Sequence, residues 1–197
     1  MSNIAKHTIE IFEDDLTTIK EYLKIALYTI FYHRWLNNNN YSDEESSINN
    51  ISYKKIQNDL LEKEIKSLLD KVDNYSSYYN KLQIIVNIYA SERSYFFYSK
   101  KEGLWEKWNL LVTITKDGSN DKEGKVRKYI CKVIKELNVD QNLMPDLELN
   151  DFEKINDINN KDNNDSNFPF DFSINTEFDQ ESILSIFKNL NIKDSYM

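Results

Sequence analysis

The stretch LWEKWNLLVTIT, from Leu104 to Thr115, places apolar side chains at every second position in its second half. Alternation with a period of two is typical of a β-strand that buries one face. A second alternating stretch, YNKLQIIVNIYA at 79–90, precedes it, so the simplest arrangement is a long antiparallel hairpin. The residues of the apolar faces are Leu82, Ile84, Val86 and Ile88 in the first strand, and Trp108, Leu110, Val112 and Ile114 in the second.

The sequence on both sides of this hairpin predicts further strands and three main helices. Alternation predicts strands, whereas apolar residues at spacings of three and four predict amphipathic helices. The predicted strands lie at 6–14, 51–56 and around 168–174. The three main helices are predicted from Thr17-Thr18 to about Trp35, from an N-cap at Asn58 to about Val72, and from about Asp121 to Leu137. A short terminal helix is predicted over 179–190. This order describes an α+β domain with a mainly antiparallel sheet.

Length and local composition predict one domain with two flexible insertions. A chain of 197 residues suits a single domain, here 1–197. Two stretches, 37–50 and 156–167, are rich in Asn and other polar residues and contain no apolar periodicity. They are therefore predicted to be flexible loops.

Composition argues against several classes of function. With only 3 Gly, the chain has too few glycines for a Gly-rich phosphate-binding loop. The formal net charge of −8 is opposite to that of a nucleic-acid binder, whose basic face neutralises phosphates. No apolar run reaches the roughly 18 residues of a membrane span, and no secretory signal is apparent at the N-terminus. A single cysteine suits a reducing compartment, so we expect a soluble intracellular protein.

Side chains that could carry catalysis are few. His7 and His33 stand outside any zinc-binding motif, so neither a metal nor another cofactor is expected. Cys131 lies near Ile130, Val133 and Ile134, which predicts a small buried thiol and not a nucleophile. We therefore expect a protein that is not an enzyme. The competing hypothesis is a small enzyme that uses Cys131 or a pair of carboxylates.

Four consecutive aromatic residues precede the second hairpin strand, in the segment SERSYFFYSKK at 91–101. Its polar flanks are atypical of a continuing core strand. Burial of one aromatic ring contributes about 1.5–3 kcal/mol, so exposed rings forgo stability unless a partner covers them. Either the segment folds back onto its own domain, or it is an exposed binding anchor. The candidate partner-binding residues are Tyr95, Phe96, Phe97 and Tyr98.

A second candidate site closes the first long helix, at His33 and Arg34. Cationic side chains near the last carbonyls of a helix oppose its dipole, so the pair can be a C-terminal cap. Alternatively, the pair forms part of a contact with another protein.

Three local motifs give the chain a resemblance to a known family. LYTIFYHR at 27–34 closes an apolar helix with His-Arg, WEKW at 105–108 begins an alternating strand, and Met144-Pro145 precedes an acidic stretch. In the order and spacing of these motifs the chain resembles autophagy-related protein 101, a HORMA-domain family. The resemblance covers nearly the whole chain and implies a HORMA-like fold: a mainly antiparallel sheet backed by three helices, with a C-terminal strand and helix segment.

The resemblance also implies a function. The family is a non-catalytic adaptor of the autophagy-initiating kinase complex, binds the HORMA domain of autophagy-related protein 13, and acts in the cytoplasm at the phagophore assembly site. A loop before its Trp-Glu-x-Trp motif carries an exposed Trp-x-Phe pair that recruits downstream autophagy factors. By ungapped counting, Phe96 and Tyr98 occupy the Trp and Phe positions, and Phe97 replaces the intervening Pro. His33 and Arg34 lie at a plausible edge for the HORMA contact.

Two alternatives to this adaptor remain at the level of sequence. One is another HORMA-type module that closes its C-terminal segment around a peptide motif of its partner. The other is a purely structural subunit whose aromatic loop is folded in.

Overall fold

A computed structural model of the chain describes residues 4–13, 15–35, 40–48, 50–76, 80–92, 101–115, 121–139 and 170–178. The elements in chain order are β1 (Ala5–Glu13), α1 (Leu16–Arg34), β2 (Tyr41–Glu45), β3 (Ser52–Ile56), α2 (Asp59–Ser76), β4 (Lys81–Glu92), β5 (Lys101–Ile114), α3 (Lys122–Val139) and β6 (Asp171–Phe178).

The main sheet has four strands in the order β1-β5-β4-β6. The pairs β4–β5 and β4–β6 are antiparallel, whereas β1 lies parallel to β5 at the edge. The hairpin predicted from the alternating stretches is confirmed as β4–β5. An α+β fold with three helices and a mostly antiparallel sheet is also confirmed in the described part of the chain, and it is compatible with a HORMA-like fold.

One face of this sheet forms the core. Its register places Val86 opposite Trp108 and Ile84 opposite Leu110, and all four side chains are fully buried. β1 continues this face from the other side with Ile9, which pairs with Leu110. Because β-strand side chains alternate between faces, a single register buries every second residue of three neighbouring strands.

Helix α1 lies in the middle of the core and is buried on most of its circumference. Its N-cap is Asp15, whose carboxylate accepts hydrogen bonds from the backbone N–H groups of Thr17 and Thr18, both at 3.3 Å. The cap therefore lies two positions before Thr17, the first residue of the predicted Thr pair. The helix ends at Arg34, and the N–H of Trp35 still donates to the Phe31 carbonyl at 3.0 Å.

Helix α2 begins as predicted, because the Asn58 side chain accepts a hydrogen bond from the Leu61 N–H at 2.9 Å. It runs to Ser76, one turn beyond the predicted end at Val72. Its buried face comprises Leu61, Ile65, Leu68 and Val72.

Helix α3 corrects the prediction made for the cysteine. Its buried face is formed by Val126, Tyr129, Val133 and Leu137, and Cys131 is exposed. Residues two apart on a helix point in nearly opposite directions. Because Cys131 is two positions from both Tyr129 and Val133, it faces away from the core, and the predicted burial of its thiol is wrong.

The predicted loop at 37–50 contains a strand, so that prediction is wrong for its central part. β2 pairs antiparallel with β3 in a separate two-stranded sheet. Asp43 lies opposite Lys54, and their side chains form an ion pair at 2.6 Å. Cross-strand charge pairs stabilise such a ribbon although its sequence has no apolar alternation. The predicted loop at 156–167 and the predicted terminal helix at 179–190 lie outside the described residues.

The turn between β2 and β3 is attached to two helices. Asn50 adopts a left-handed conformation with φ of 64°, which Asn tolerates better than most residues. Its carbonyl accepts a hydrogen bond from Arg127 of α3 at 2.6 Å, and Glu21 of α1 accepts one from the Ser47 N–H at 3.0 Å. The small sheet is thereby held against the α1 and α3 helices. Among the described helices, none is long and apolar enough to cross a membrane.

Candidate functional site

Two of the motifs that carry the family resemblance meet in space. Arg34, at the end of α1, donates two hydrogen bonds to Glu106 of β5: Nε to Oε2 and Nη2 to Oε1, both at 2.7 Å. The arginine is 6 % exposed and the glutamate 1 %. Two parallel bonds between a guanidinium and a carboxylate are the strongest geometry such a pair can adopt.

His7 of β1 extends this ion pair. Its Nε2 lies 3.0 Å from Glu106 Oε1, and its Nδ1 lies 3.4 Å from Oε2 of Glu136 on α3. Its ring stacks on Trp108, with 4.0 Å between ring centroids. On the other side, the Arg34 guanidinium lies 5.8 Å from the centroid of the Trp105 ring. We call these residues, His7, Arg34, Trp105, Glu106 and Trp108, the Arg34 cluster.

Electrostatics keep the central carboxylate of the cluster ionised. Burial alone would raise the pKa of Glu106, but hydrogen bonds and charge from His7 and Arg34 outweigh it and lower the pKa below its ordinary value. A carboxylate held in this way is a poor general base, since its lone pairs are already engaged. The cluster therefore joins β1, α1 and β5 and is not suited to proton transfer.

A β-bulge lies at the same place. Ile88 pairs with Glu106, whereas the next residue of β4, Tyr89, pairs with Leu104. Trp105 is thus the additional residue of β5, which bends the strand and increases its twist. Beyond the bulge, β4 continues to Glu92 and β5 starts at Lys101.

The hairpin leads into residues 93–100, which hold the four predicted partner-binding aromatics. Tyr95, Phe96, Phe97 and Tyr98 lie outside the described residues, and their role stays a prediction. What the structure describes is the base from which this segment emerges.

The other two predicted site residues, His33 and Arg34, differ in burial although they are adjacent in the sequence. The Arg34 side chain is buried in an ion pair with Glu106 of its own subunit, and a partner contact at this residue stays a prediction. His33 is half-buried, with its ring 5.8 Å from that of Tyr32. Burial, together with the positive charge of Arg34, lowers the pKa of His33, so it is neutral near pH 7. A partner contact for His33 stays a prediction.

Sequence reasoning missed His7 and Glu106 as members of a cluster, although a signal for them existed. His7 is in phase with Ile9, and Glu106 is in phase with Trp108, so both belong to the buried face of their strands. Charged or titratable residues at core positions need partners, because an isolated buried charge is costly. Within the described residues, no group of three or more His, Cys, Asp or Glu side chains is placed to hold a metal ion.

Comparison with known proteins places the chain in a family. No curated protein matches it. The model of the family described as autophagy-related protein 101 matches residues 12–155, a range that includes 27–34, 105–108 and Met144-Pro145. Because this match covers well over half of the sequence, the chain belongs to the autophagy-related protein 101 family.

Proposed function

We propose that the protein is a non-catalytic adaptor subunit of the autophagy-initiating kinase complex. In this proposal it binds and stabilises the HORMA domain of autophagy-related protein 13, and it acts in the cytoplasm at the phagophore assembly site. The observation that carries the proposal is the family match over residues 12–155. The contact between Arg34 of the first motif and Glu106 of the second supports the proposal, because the motifs that resemble the family then form one buried part of the fold.

The hairpin supports a recruiting role for the aromatic segment. β4 and β5 are the longest strands described, with 12 and 14 residues, and they continue beyond the bulge to 93–100. Aromatic side chains at such a tip would supply large contact area at low entropic cost, as binding hot spots do. We propose that Phe96 and Tyr98 are the main anchors for a downstream autophagy factor.

Exposed apolar side chains on the body of the domain offer surface to a HORMA partner. Phe12 of β1 is 50 % exposed and Ile134 of α3 is 37 % exposed. These two elements are adjacent, since the Tyr129 hydroxyl of α3 bonds the backbone of Phe12. Large exposed apolar side chains on neighbouring elements favour a protein interface.

A non-catalytic role is supported by the environment of the groups that could react. Glu106 is engaged by Arg34 and His7. A general base would need free lone pairs.

The first experiment tests the aromatic anchors. The double variant Phe96→Ala with Tyr98→Ala is expected to retain the far-UV circular dichroism spectrum and binding to the HORMA partner, and to lose most recruitment of downstream factors. The matched control removes exposed apolar surface elsewhere, with Tyr41→Ala and Leu60→Ala, which are 38 % and 57 % exposed. Unfolding of the anchor variant, or loss of its HORMA partner, would show that these rings pack in the core instead.

The second experiment tests the partner. Co-purification from the native cell should recover a protein with a HORMA domain together with the kinase of the complex. Recovery of a partner held through a short linear motif would favour the alternative, a HORMA-type module that closes its C-terminal segment on a peptide. This alternative is supported by the position of β6, the last described strand, which lies at the sheet edge beside β4.

A further inference from the structure

We propose that the Arg34 cluster fixes the direction in which the outer part of the β4–β5 hairpin leaves the sheet, and that Arg34 is the positioning residue. The outer part is defined as residues 90–92 of β4 with 101–103 of β5. The biological consequence rests on the proposed function, because the outer part carries the aromatic segment. The physical claim concerns described residues alone.

The pairing pattern shows why the outer part needs to be held. β6 accompanies β4 only as far as the pair Tyr89 and Asp171, and β1 accompanies β5 only from the pair Ala5 and Glu106. Both flanking strands therefore stop at the bulge. Within the described residues, the hairpin beyond this point is a ribbon of two strands.

A two-stranded ribbon does not set its own direction. Such ribbons are marginally stable alone and twist more strongly than wider sheets. A bulge adds a bend whose size depends on how the additional residue is held. Here that residue is Trp105, so restraints on Trp105 and on its neighbour Glu106 determine the direction of the ribbon.

Those restraints come from two different parts of the chain. The guanidinium of Arg34 binds Glu106 through two bonds at 2.7 Å and also lies against the face of the Trp105 ring. The ring of Phe170, just before β6, meets the Trp105 ring at an angle of 67°, with 6.5 Å between centroids. Trp105 is thereby held between α1 and the start of β6.

Arginine is suited to this task in a way that lysine is not. A planar fork with two bonds fixes both the distance and the rotation of the carboxylate, whereas an ammonium group makes a point contact. Buried ion pairs are weak evidence for stability, because apolar residues of similar volume often stabilise equally well. Their better-supported contribution is to select one arrangement among several, which is the role assigned here.

The test measures the direction of the ribbon by the distance between two spin labels. Cys131, the single cysteine of the chain, is exposed on α3 and takes the first label. Gly103→Cys takes the second, since a Cβ at Gly103 would meet nothing within 4 Å. We expect one narrow distance peak in this background. Arg34→Lys, and separately Arg34→Met with Glu106→Met, should each lose that peak and give a broad distribution.

The control is Val72→Ala, which opens a cavity on α2, a helix that holds no residue of the cluster. It is measured at the same number of degrees below its own unfolding temperature as the cluster variants. It should keep the narrow peak. The proposal is overturned if the peak survives in both cluster variants, or if Val72→Ala broadens it to the same extent. The Arg34→Lys variant retains a cation, so it remains informative even if the double Met variant does not fold. The distance readout requires no downstream factor, so its failure is distinct from failure of the adaptor proposal, which the recruitment experiment judges.

Discussion

Arg34 shows how a buried charge is made tolerable by the geometry around it. Desolvation of a guanidinium and a carboxylate costs several kcal/mol per ion, on the order of the Coulombic gain between them. In this protein the two ions share two short bonds, and His7 occupies a further acceptor position on Glu106. The arrangement is therefore sensitive to the loss of one partner and less sensitive to the loss of both.

The variant Arg34→Met is expected to lower the free energy of unfolding by about 3–5 kcal/mol, because it leaves Glu106 buried without its cation. Urea denaturation followed by circular dichroism gives the free energy. Adding Glu106→Met to the same chain should recover most of the loss. If the two substitutions instead cost the sum of their separate effects, the ion pair is not the unit that we describe.

At the residue scale, the sequence predicts which positions face the core but not which of them meet. The alternation of β1 and β5 places His7 and Glu106 among buried positions. Nothing local links either of them to Arg34, which stands 72 positions before Glu106. The ion pair depends on a helix end and a strand start brought together by the tertiary fold, so local periodicity carries no information about it.

At the scale of elements, helix α1 begins with a charged cap that is tied to another helix. The Lys122 ammonium of α3 bonds the Asp15 carboxylate at 2.7 Å, and the Thr18 hydroxyl bonds it too. The Lys122 bond, followed by that of Thr18, lowers the pKa of Asp15 to about 2. Because the folded pKa lies below the unfolded value of about 3.9, this stabilisation is present above that value and is lost as the pH falls toward 2.

The variant Asp15→Asn removes the negative charge but keeps a capping side chain, since Asn also caps helices well. The wild-type urea midpoint should fall between about pH 4 and pH 2 more steeply than that of the variant. Glu106, whose pKa is also lowered, keeps the same partners in both proteins, so its contribution to the pH dependence cancels in the comparison. Parallel midpoint curves for the two proteins would show that Lys122 adds nothing to the cap.

The Tyr129 phenol is one of the groups that link helix α3 to the edge strand β1. The Tyr129 hydroxyl donates to the Phe12 carbonyl at 2.8 Å and accepts from the Phe12 N–H at 3.0 Å. Tyr129→Phe leaves both backbone groups without this partner and should cost about 1–3 kcal/mol of unfolding free energy. Amide exchange at Phe12 should accelerate as well.

The matched control is Tyr22→Phe, in the ring that contacts Tyr129 at 5.3 Å. Among the described residues, the buried Tyr22 hydroxyl has no hydrogen-bond partner, and burial raises its pKa. Its removal should therefore be neutral or stabilising. Equal losses in both variants would mean that the hydroxyl bonds to Phe12 contribute nothing specific.

Elements with strong periodicity are predicted well, and those held by polar pairs are not. Ile9 and Ile11 reveal β1, and the apolar spacing reveals α1, because both elements rest on the core. β2 has the sequence YSDEE, whose polar residues include Asp43 in its ion pair with Lys54, and it shows no apolar alternation, so its sequence resembles that of a loop. For Cys131 the error was one of helical phase within an otherwise correct helix.

At the scale of the whole molecule, the described elements share one core. A single apolar cluster contains residues from all three helices and from β1, β3, β4, β5 and β6. Elements that share a core unfold together. Tryptophan fluorescence and far-UV circular dichroism should therefore give coincident urea transitions. Leu68→Ala on α2 should shift both by the same amount, with a loss of about 2–5 kcal/mol. Two separated transitions would contradict this picture.

The parallel pairing of β1 with β5 has a consequence for the newly synthesised polypeptide. β1 is translated before α1, α2 and β4, whereas its neighbour, residues 106–114, is translated after them. Until then Ile9 and Ile11 have no sheet to join, and unpaired apolar strands are prone to aggregate. A chain truncated before residue 106 therefore exposes β1 without the strand that pairs with it and is expected to aggregate. A chain that extends past residue 114 contains that strand.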